Sequence, residues 1–420
     1  MKRILKGALV TLCAIGIFAG AIASAQERSR HVLRDAATGK IKPAKITVQP
    51  SPNAAPVTKT MPFFSSGTLK AAEAALRSGV DRDEEAFLEE SGSVNASALG
   101  NGQVQSTVGC SNRTSGDNVR VNQDCTYRSQ AEEKIVYNPA NPNHLIAGQN
   151  DGRVGFNQCS IAWSLDDGQH WGDLLPPFRS KINNPAGQVA TATDPNNHTI
   201  VGGPGTFHTY DADSDPAPAF DSEGRGFFTC IAFDVFTNAA MVYATQSPIE
   251  AQGSFFYNIS SFGRRFVVDE ENDARAALDK PFITADTFKS SPNVDNVYAT
   301  WTVFNFSCGP NASGYCSSPI FGSMSTDHGL TWSTPEEISG SSSALCFFGN
   351  AFDPGRSPNA CDFDQGSDPA AQPNGDLVVI FNNGNTAANN PNAQQLGVVC
   401  HPSGSSPAGT ATLTALRRRR

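Results

Sequence analysis

Charge is scarce in this sequence. Charged residues make up 17% of the 420 positions, against about a quarter in an average soluble domain. Basic residues are the scarcer kind, with 31 Lys+Arg against 40 Asp+Glu and a formal charge of −9. No long basic stretch precedes the final Arg417–Arg420 run. That excludes nucleic-acid binding, which needs Lys and Arg to neutralise phosphates, and adhesion to anionic membranes. A spanning helix is also missing, because the longest apolar run, Ala8 to Ala21, is short for a bilayer. No cysteine pair has the two-to-four-residue spacing of a zinc site, and only Cys400 has an adjacent histidine, His401. Neither a G-x-S-x-G elbow nor a phosphate-binding loop occurs. What is abundant is punctuation: 37 Gly and 27 Pro, with many Asn and Ser, break the chain into segments suited to short strands.

The N-terminus reads as a secretory signal. Lys2, Arg3 and Lys6 precede the apolar run, and Ala23-Ser24-Ala25 offers a small-residue cleavage site before Gln26. Residues 1–25 are therefore expected to be removed, taking the charge from −9 to −12 and leaving a secreted, extracellular or periplasmic chain with no membrane span. Of the cysteines, Cys13 leaves with the signal and nine remain, which in an exported protein read as a disulfide framework. Local spacing suggests Cys110–Cys125, Cys308–Cys316 and Cys346–Cys361, with Cys159–Cys230 as a further pair and Cys400 left over. Residues 26–109 read as a disordered leader, with one or two short helices between 68 and 91.

From residue 110 the chain repeats. Glu133-Lys-Ile-Val-Tyr-Asn138, Pro216-Ala-Pro-Ala-Phe-Asp221, Pro281-Phe-Ile-Thr-Ala-Asp286 and Pro369-Ala-Ala-Gln-Pro-Asn374 align without gaps. Each ends in Asn or Asp, whose side chain can bond the backbone two residues on and close a hairpin. Three of the four begin with Pro preceded by Asp or Lys. An apolar strand follows each, beginning at Leu145, Gly226, Val297 and Leu377. Two later segments, Ser164-Leu-Asp166-Asp-Gly168-Gln-His-Trp171 and Ser325-Thr-Asp327-His-Gly329-Leu-Thr-Trp332, share the pattern S-x-D-x-G-x-x-W. The chemistry is that of a tight turn: Gly takes a positive φ, Ser and Asp bind the turn amides, and Trp covers the loop.

This pattern resembles the Asp-box, or bacterial neuraminidase repeat, of sialidase-like β-propellers. The resemblance spans roughly residues 125–400 and implies an all-β propeller of four-stranded blades over 110–410. It also implies that the box residues are structural and lie away from the active face. Such propellers have six blades, whereas three complete repeats and the start of a fourth are visible, so about three to four blades are expected. The stretch 411–420, with Thr412-Leu-Thr-Ala-Leu, shows no strand pattern and reads as an irregular basic tail. Together with the leftover Cys400, this suggests a truncated or frame-shifted relative; a ring completed by a partner, or a blade within the N-terminal 105 residues, are the alternatives.

The sialidase chemistry that the resemblance implies is poorly supported. The family's first arginine motif aligns with Glu133-Lys134-Ile135-Val136, where no arginine stands. Arg153 falls where the second carboxylate-binding arginine is expected and is the candidate substrate-binding residue. No Asp follows it within ten residues, and no catalytic set is legible. No cofactor is expected; Asp211, Asp213, Asp215 and Asp221 form an oxygen-rich cluster for which Ca²⁺ and turn formation are the competing readings. Tyr210, Phe262 and Trp301 are candidates for sugar stacking or for core packing. Two function classes follow: a glycan-directed hydrolase of exo-sialidase type, or a non-catalytic propeller that binds carbohydrate or an extracellular protein. An exported assembly factor is a weaker third.

Overall fold

The computed structural model describes residues 44–48, 57–61, 119–123, 130–153, 157–175, 212–233, 240–257, 266–271, 276–306, 315–385, 394–404 and 406–415. The signal segment, the expected helices at 68–91, Cys110, Cys125, Cys308, Asp211, Tyr210 and Phe262 lie outside them. The described chain is nearly all β, with a single 3₁₀ turn at Ile249–Ala251.

An N-terminal hairpin pairs β1 (Ala44–Val48) with β2 (Val57–Met61). The leader was expected to be disordered, so this is a correction. The prolines that suggested an unstructured leader fall outside the two strands, whose own residues are rich in β-branched Ile, Val and Thr.

Four antiparallel sheets follow, each a meander of neighbouring strands. Blade 1 runs β3 (Gln130–Asn138), β4 (Asn141–Asp151), β5 (Gln158–Ser164), β6 (Gly172–Leu174). Blade 2 runs β7 (Ala212–Phe220), β8 (Gly226–Phe233), β9 (Ala240–Ser247), β10 (Val267–Glu271). In blade 3, β11 (Ala276–Ala285), β12 (Val297–Phe306), β14 (Ile320–Ser325) and β15 (Glu336–Glu337) form the meander, and the short β13 (Tyr315–Ser317) adds to β12. Blade 4 runs β16 (Asp364–Ala371), β17 (Leu377–Asn383), β18 (Gln394–Ser403), β19 (Ser406–Ala415). The fourth repeat is thus a full sheet rather than the beginning of one. Thr412–Ala415, expected to be irregular, is the end of its outer strand, paired along β18. An outer strand needs only one neighbour, so a run of small residues and threonines without strong alternation can serve.

The first strands of the four sheets lie against one another in order, β3 on β7, β7 on β11 and β11 on β16. This is the propeller arrangement, with innermost strands around a common axis and sheets stacked face to face between them. Strand β8 shows why the sequence builds it. Phe227, Ile231 and Phe233 enter a core shared with Ile283, Val297, Trp301 and Val303 of blade 3. The alternate residues Phe228, Cys230 and Ala232 enter a second core with Ile146, Cys159 and Ile161 of blade 1. Both faces are buried, so the strand is apolar apart from Thr229, whose hydroxyl donates to the Tyr243 carbonyl. A third core joins Tyr298, Ile320 and Met324 of blade 3 to Leu377, Val379, Phe381, Leu396, Val398 and Cys400 of blade 4. Among the described residues no such core joins blade 4 to blade 1. There Ile135 and Tyr137 of β3 and Ile380 of β17 are exposed, and the link is polar: Lys134 Nζ lies 3.1 Å from Asp368 Oδ1.

The turns follow the sequence reading. Asn138, Asp221, Asp286 and Asn374 each accept the backbone N–H two residues on, from Ala140, Glu223, Phe288 and Asp376. In the two S-x-D-x-G-x-x-W turns, Ser164 Oγ and Ser325 Oγ accept the N–H groups of Gly168 (2.9 Å) and Gly329 (2.8 Å). Asp166 and Asp327 accept those of His170 and Thr331, and the two glycines have φ of 77° and 78°. Blade 2 lacks the pattern but keeps the device, since Ser247 Oγ accepts the N–H of Gly253 at φ 83°. Cys159–Cys230 ties blade 1 to blade 2, and Cys346–Cys361 closes a local loop. Cys316 is also disulfide-bonded. Cys400 is free and buried, and burial pushes its thiol up to about 12.

Candidate functional site

Each innermost strand is interrupted at the same place. Register slips between Ala131 and Lys134, Ser214 and Ala217, Asp279 and Phe282, and Gln365 and Asp368 mark one β-bulge per blade. The residue at each bulge is left-handed: Glu132 (φ 61°), Asp215 (φ 63°), Lys280 (φ 52°) and Gly366 (φ 66°). Only Gly takes this conformation freely; each of the other three costs about 1–2 kcal/mol. Strain repeated at three equivalent positions, all ionisable, makes this ring of bulges the candidate functional site.

The three side chains meet. Lys280 Nζ lies 3.3 Å from Glu132 Oε1 and 3.2 Å from Asp215 Oδ1, so blades 1, 2 and 3 converge on one ammonium. Asn150, on β4, orders the carboxylates. Its Nδ2 donates to Glu132 Oε2 (2.8 Å) and to Ser214 Oγ (3.2 Å), and its Oδ1 accepts the N–H of Asp215 (3.0 Å). Glu132 and Asp215 are hydrogen-bonded to each other. From blade 4, Gln365 Nε2 donates to Asp279 Oδ2 at 2.8 Å. Two residues further along the innermost strands, Lys134 bridges to Asp368 and stands 4.5 Å over the ring of Phe282, with Lys280 5.8 Å from the same ring.

Asp215 and Asp279 are buried, whereas Glu132 and Lys280 keep 12% and 23% of their side chains exposed, so solvent reaches the cluster through them. Burial, the charge of Asp279 and the hydrogen bond with Glu132 raise Asp215 well above the ordinary carboxyl range. Burial disfavours the Lys280 ammonium, but the carboxylates of Asp215 and Glu132 outweigh it and hold its pKa above the usual value. The arrangement therefore presents a buried carboxyl group that holds its proton more tightly than usual beside a second carboxyl group, with an ammonium between them.

No protein-family profile matches the chain, and no curated protein is similar to it in sequence. Solved structures are similar in fold at low identity. An α-L-arabinofuranosidase from Fusarium graminearum in complex with an iminosugar inhibitor aligns at 9% identity over 68% of this chain and 66% of its own, with a TM-score of 0.40. An α-L-arabinanase from Penicillium chrysogenum complexed with arabinobiose gives 10%, 68%, 66% and 0.39. A Hadza microbial sialidase gives 12%, 68%, 46% and 0.37. The chain thus spans just under two thirds of the length of the first two.

The residue singled out from sequence, Arg153, lies at the bulge end of blade 1 just after β4, but it is occupied. Its guanidinium donates to Asp151 Oδ2 (2.8 Å) and to Asp173. The aspartates considered for Ca²⁺ do not form one cage. Asp215 holds Lys280, while Asp221, at the opposite end of β7, accepts the Glu223 and Arg225 amides and the Arg225 guanidinium (2.6 Å). Asp213 is fully buried, and neither of its oxygens has a hydrogen-bond partner among the described residues. Burial raises its pKa well above the usual value. Asp221, Glu223 and His328 gather within 4.8 Å of one another, but Arg225 NH1 already bonds His328 Nδ1 (2.7 Å) there and fills the cationic role. Trp301 is wholly buried and donates to Asp269 Oδ2 (3.1 Å), so it is core rather than a stacking platform.

Glu132, Lys280, Asp279, Gln365 and Gly366 were not found from sequence, and Asp215 was read only as part of the oxygen-rich cluster. A signal existed: Asp215 and Lys280 are the Asp and Lys that precede the repeat-opening prolines. In blade 4 the bulge falls at Gly366, eight residues before Asn374 rather than six, so its alignment on Pro369 was two residues out of structural register.

Proposed function

We propose that this chain is a carbohydrate-active propeller whose axial cluster hydrolyses glycosidic bonds. Asp215 is the proton donor and Glu132 the partner carboxylate. The observation that carries this is the meeting of Glu132, Asp215 and Lys280 from three left-handed bulges. Glycoside cleavage uses two carboxyl groups about 5–9.5 Å apart across the scissile bond, one to protonate the leaving oxygen and one to support the cationic transition state; Glu132 and Asp215, hydrogen-bonded to each other in the free protein, part around the sugar to do this. Of the two, Asp215 is the one whose burial raises its pKa, which suits it to donate the proton. Lys280 favours the ionised partner, and Asn150 fixes its orientation. The two S-x-D-x-G-x-x-W turns support membership of the Asp-box propellers. The register of blades 1 and 3 sets them at the sheet ends opposite the bulges, where they serve as scaffold. The signal-like N-terminus and the disulfides support a secreted chain acting on extracellular glycans.

One observation favours a second reading, a glycan- or protein-binding propeller without turnover: Lys280 is already bracketed by both carboxylates, and Arg153 by Asp151 and Asp173, as in a structural ion-pair network. The test is hydrolysis of fluorogenic α-L-arabinofuranoside, β-xyloside and α-sialoside by the secreted chain, beside Asp215→Asn and Glu132→Gln. Turnover of at least one substrate, reduced a hundredfold or more in both variants with melting temperatures preserved, is expected. Turnover that survives both substitutions removes the cluster from the chemistry. Sugar binding with no turnover selects the second reading.

A further inference from the structure

The register that slips at each bulge resumes at Lys134, Ala217, Phe282 and Asp368, one residue on each innermost strand. These equivalent positions form a second layer beside the bulges, and three of its members meet. Lys134 Nζ, from blade 1, lies 3.1 Å from Asp368 Oδ1 of blade 4 and 4.5 Å from the centroid of the Phe282 ring of blade 3. The same ring lies beside the cluster, since Lys280 Nζ, in contact with Glu132 and Asp215, is 5.8 Å from its centroid. An aromatic ring therefore stands at the axis next to the carboxyl pair.

Phe282 is not spent on packing alone. It packs against the core shared by blades 2 and 3, yet it is only partly buried. Lys134 and Asp368, which meet beside it, keep 28% and 51% of their side chains exposed, so solvent reaches this layer. The two contacts that hold Lys134 are of weak kinds, an ion pair in solvent and a cation over an accessible aromatic face. Its flexible four-carbon stem lets the ammonium leave the ring for water without moving β3. What it uncovers is a flat apolar face flanked by a carboxylate. That combination suits a sugar, whose C–H face lies on the aromatic ring while its hydroxyls bond the polar flank.

We infer that Phe282 is the stacking platform for a sugar ring at the axial site, and that Lys134, tethered to Asp368, is the gate that the sugar displaces. This rests on the carbohydrate-active reading above and deepens it: the ligand is a sugar with an open C–H face, and its binding competes with an ion pair. A neutral sugar has no charge to be screened, so salt acts on its binding through the gate. Screening the Lys134–Asp368 pair loosens Lys134 from Phe282 and tightens binding.

The test is calorimetric titration of the full secreted chain with arabinobiose, xylobiose and lactose. Wild type is expected to bind at least one probe, about twofold more tightly in about 0.5 M than in about 0.05 M NaCl. Phe282→Leu keeps an apolar side chain but removes the aromatic face, and weakens that binding about tenfold or more. Phe282→Tyr restores the face and stays within about threefold of wild type. Lys134→Thr and Asp368→Asn each break the ion pair, so each tightens binding about threefold and removes the salt effect. A contact with a merely structural role would not turn its own loss into tighter binding. Melting temperatures identify the folded variants, and Phe282→Met takes the place of Phe282→Leu if the latter does not fold. Unchanged binding by Phe282→Leu overturns the platform. Unchanged or weaker binding by either Lys134→Thr or Asp368→Asn overturns the gate, and no binding of any probe by wild type and Lys134→Thr overturns both. The expected pattern in a chain that hydrolyses nothing retains platform and gate and sinks only hydrolysis. Turnover with Phe282→Leu binding as wild type does sinks the platform and retains hydrolysis.

Discussion

Replacing Lys280 with Met isolates the electrostatics of the axial cluster. Met has nearly the same length and the same cost at a left-handed backbone, so the strain at φ 52° cancels between the two proteins. What is lost is one ammonium 3.2–3.3 Å from two carboxyl groups. At an effective dielectric near 20 each contact is worth about 5 kcal/mol before the desolvation of the ammonium is set against it. Breaking a buried pair typically costs about 3–5 kcal/mol, and because the Lys280 side chain is 23% exposed the lower end, about 3 kcal/mol, is expected at pH 8. The sign of the pH dependence follows from Asp215. Its folded pKa is already above its unfolded value, so the folded state holds a proton that the unfolded state releases. Stability therefore falls as pH rises from the ordinary carboxyl range toward the folded pKa. Removing Lys280 pushes that folded pKa higher and extends the fall. The cost of Lys280→Met should accordingly be smallest at acid pH, where Asp215 is protonated in both folded proteins, and grow between about pH 4 and about pH 9 as pH passes through the folded pKa of Asp215, by about 1.4 kcal/mol for each pKa unit that the substitution adds. Urea unfolding of both proteins across this range measures it. A cost that stays flat with pH, or below about 1 kcal/mol at pH 8, would refute the coupling of Lys280 to Asp215.

The two described disulfides should differ in a calculable way. Cys159–Cys230 closes 71 residues and Cys346–Cys361 closes 15, so chain entropy assigns them about 4 and about 3 kcal/mol. Double-alanine variants compared by denaturant unfolding should show the Cys159/Cys230 loss to be the larger by about 1 kcal/mol or more; the reverse order contradicts the role of Cys159–Cys230 as the clasp between blades 1 and 2. Ser325→Ala removes the acceptor of the Gly329 N–H and the donor to Asp327 Oδ1. It should cost about 1–2 kcal/mol while leaving glycan turnover and binding unchanged, since the turn sits at the sheet end opposite the bulges. A stability change under about 0.5 kcal/mol, or altered turnover with stability intact, goes against the scaffold role of this turn.

Much of the architecture was legible because its determinants are local. The Asn or Asp that closes each first hairpin bonds an amide two residues away, and the Ser and Asp of the two matching turns bond amides four away. Such chemistry is complete within one short segment, so composition and spacing reveal it, and the repeat of segments gives the number of sheets. Where local signals were weak the reading failed. Leader prolines obscured the β1–β2 hairpin, and the small residues of β19 gave no alternation, although one neighbouring strand suffices to hold each of them in place.

The axial cluster lay beyond such reading. Glu132, Asp215, Lys280 and Gly366 are dozens of residues apart and become neighbours only because blades 1 to 4 pack successively face to face and so bring the innermost strands around one axis. Arg153, expected from the resemblance to bind a substrate carboxylate, has its partner Asp173 twenty residues away on β6, and only the folded sheet shows the guanidinium already engaged. Sequence by itself determined strands, turns and the repeat, since hairpin geometry is written in neighbouring residues. Tertiary structure alone decided which charged residues meet, because convergence at the axis is a property of stacked blades and not of any one of them.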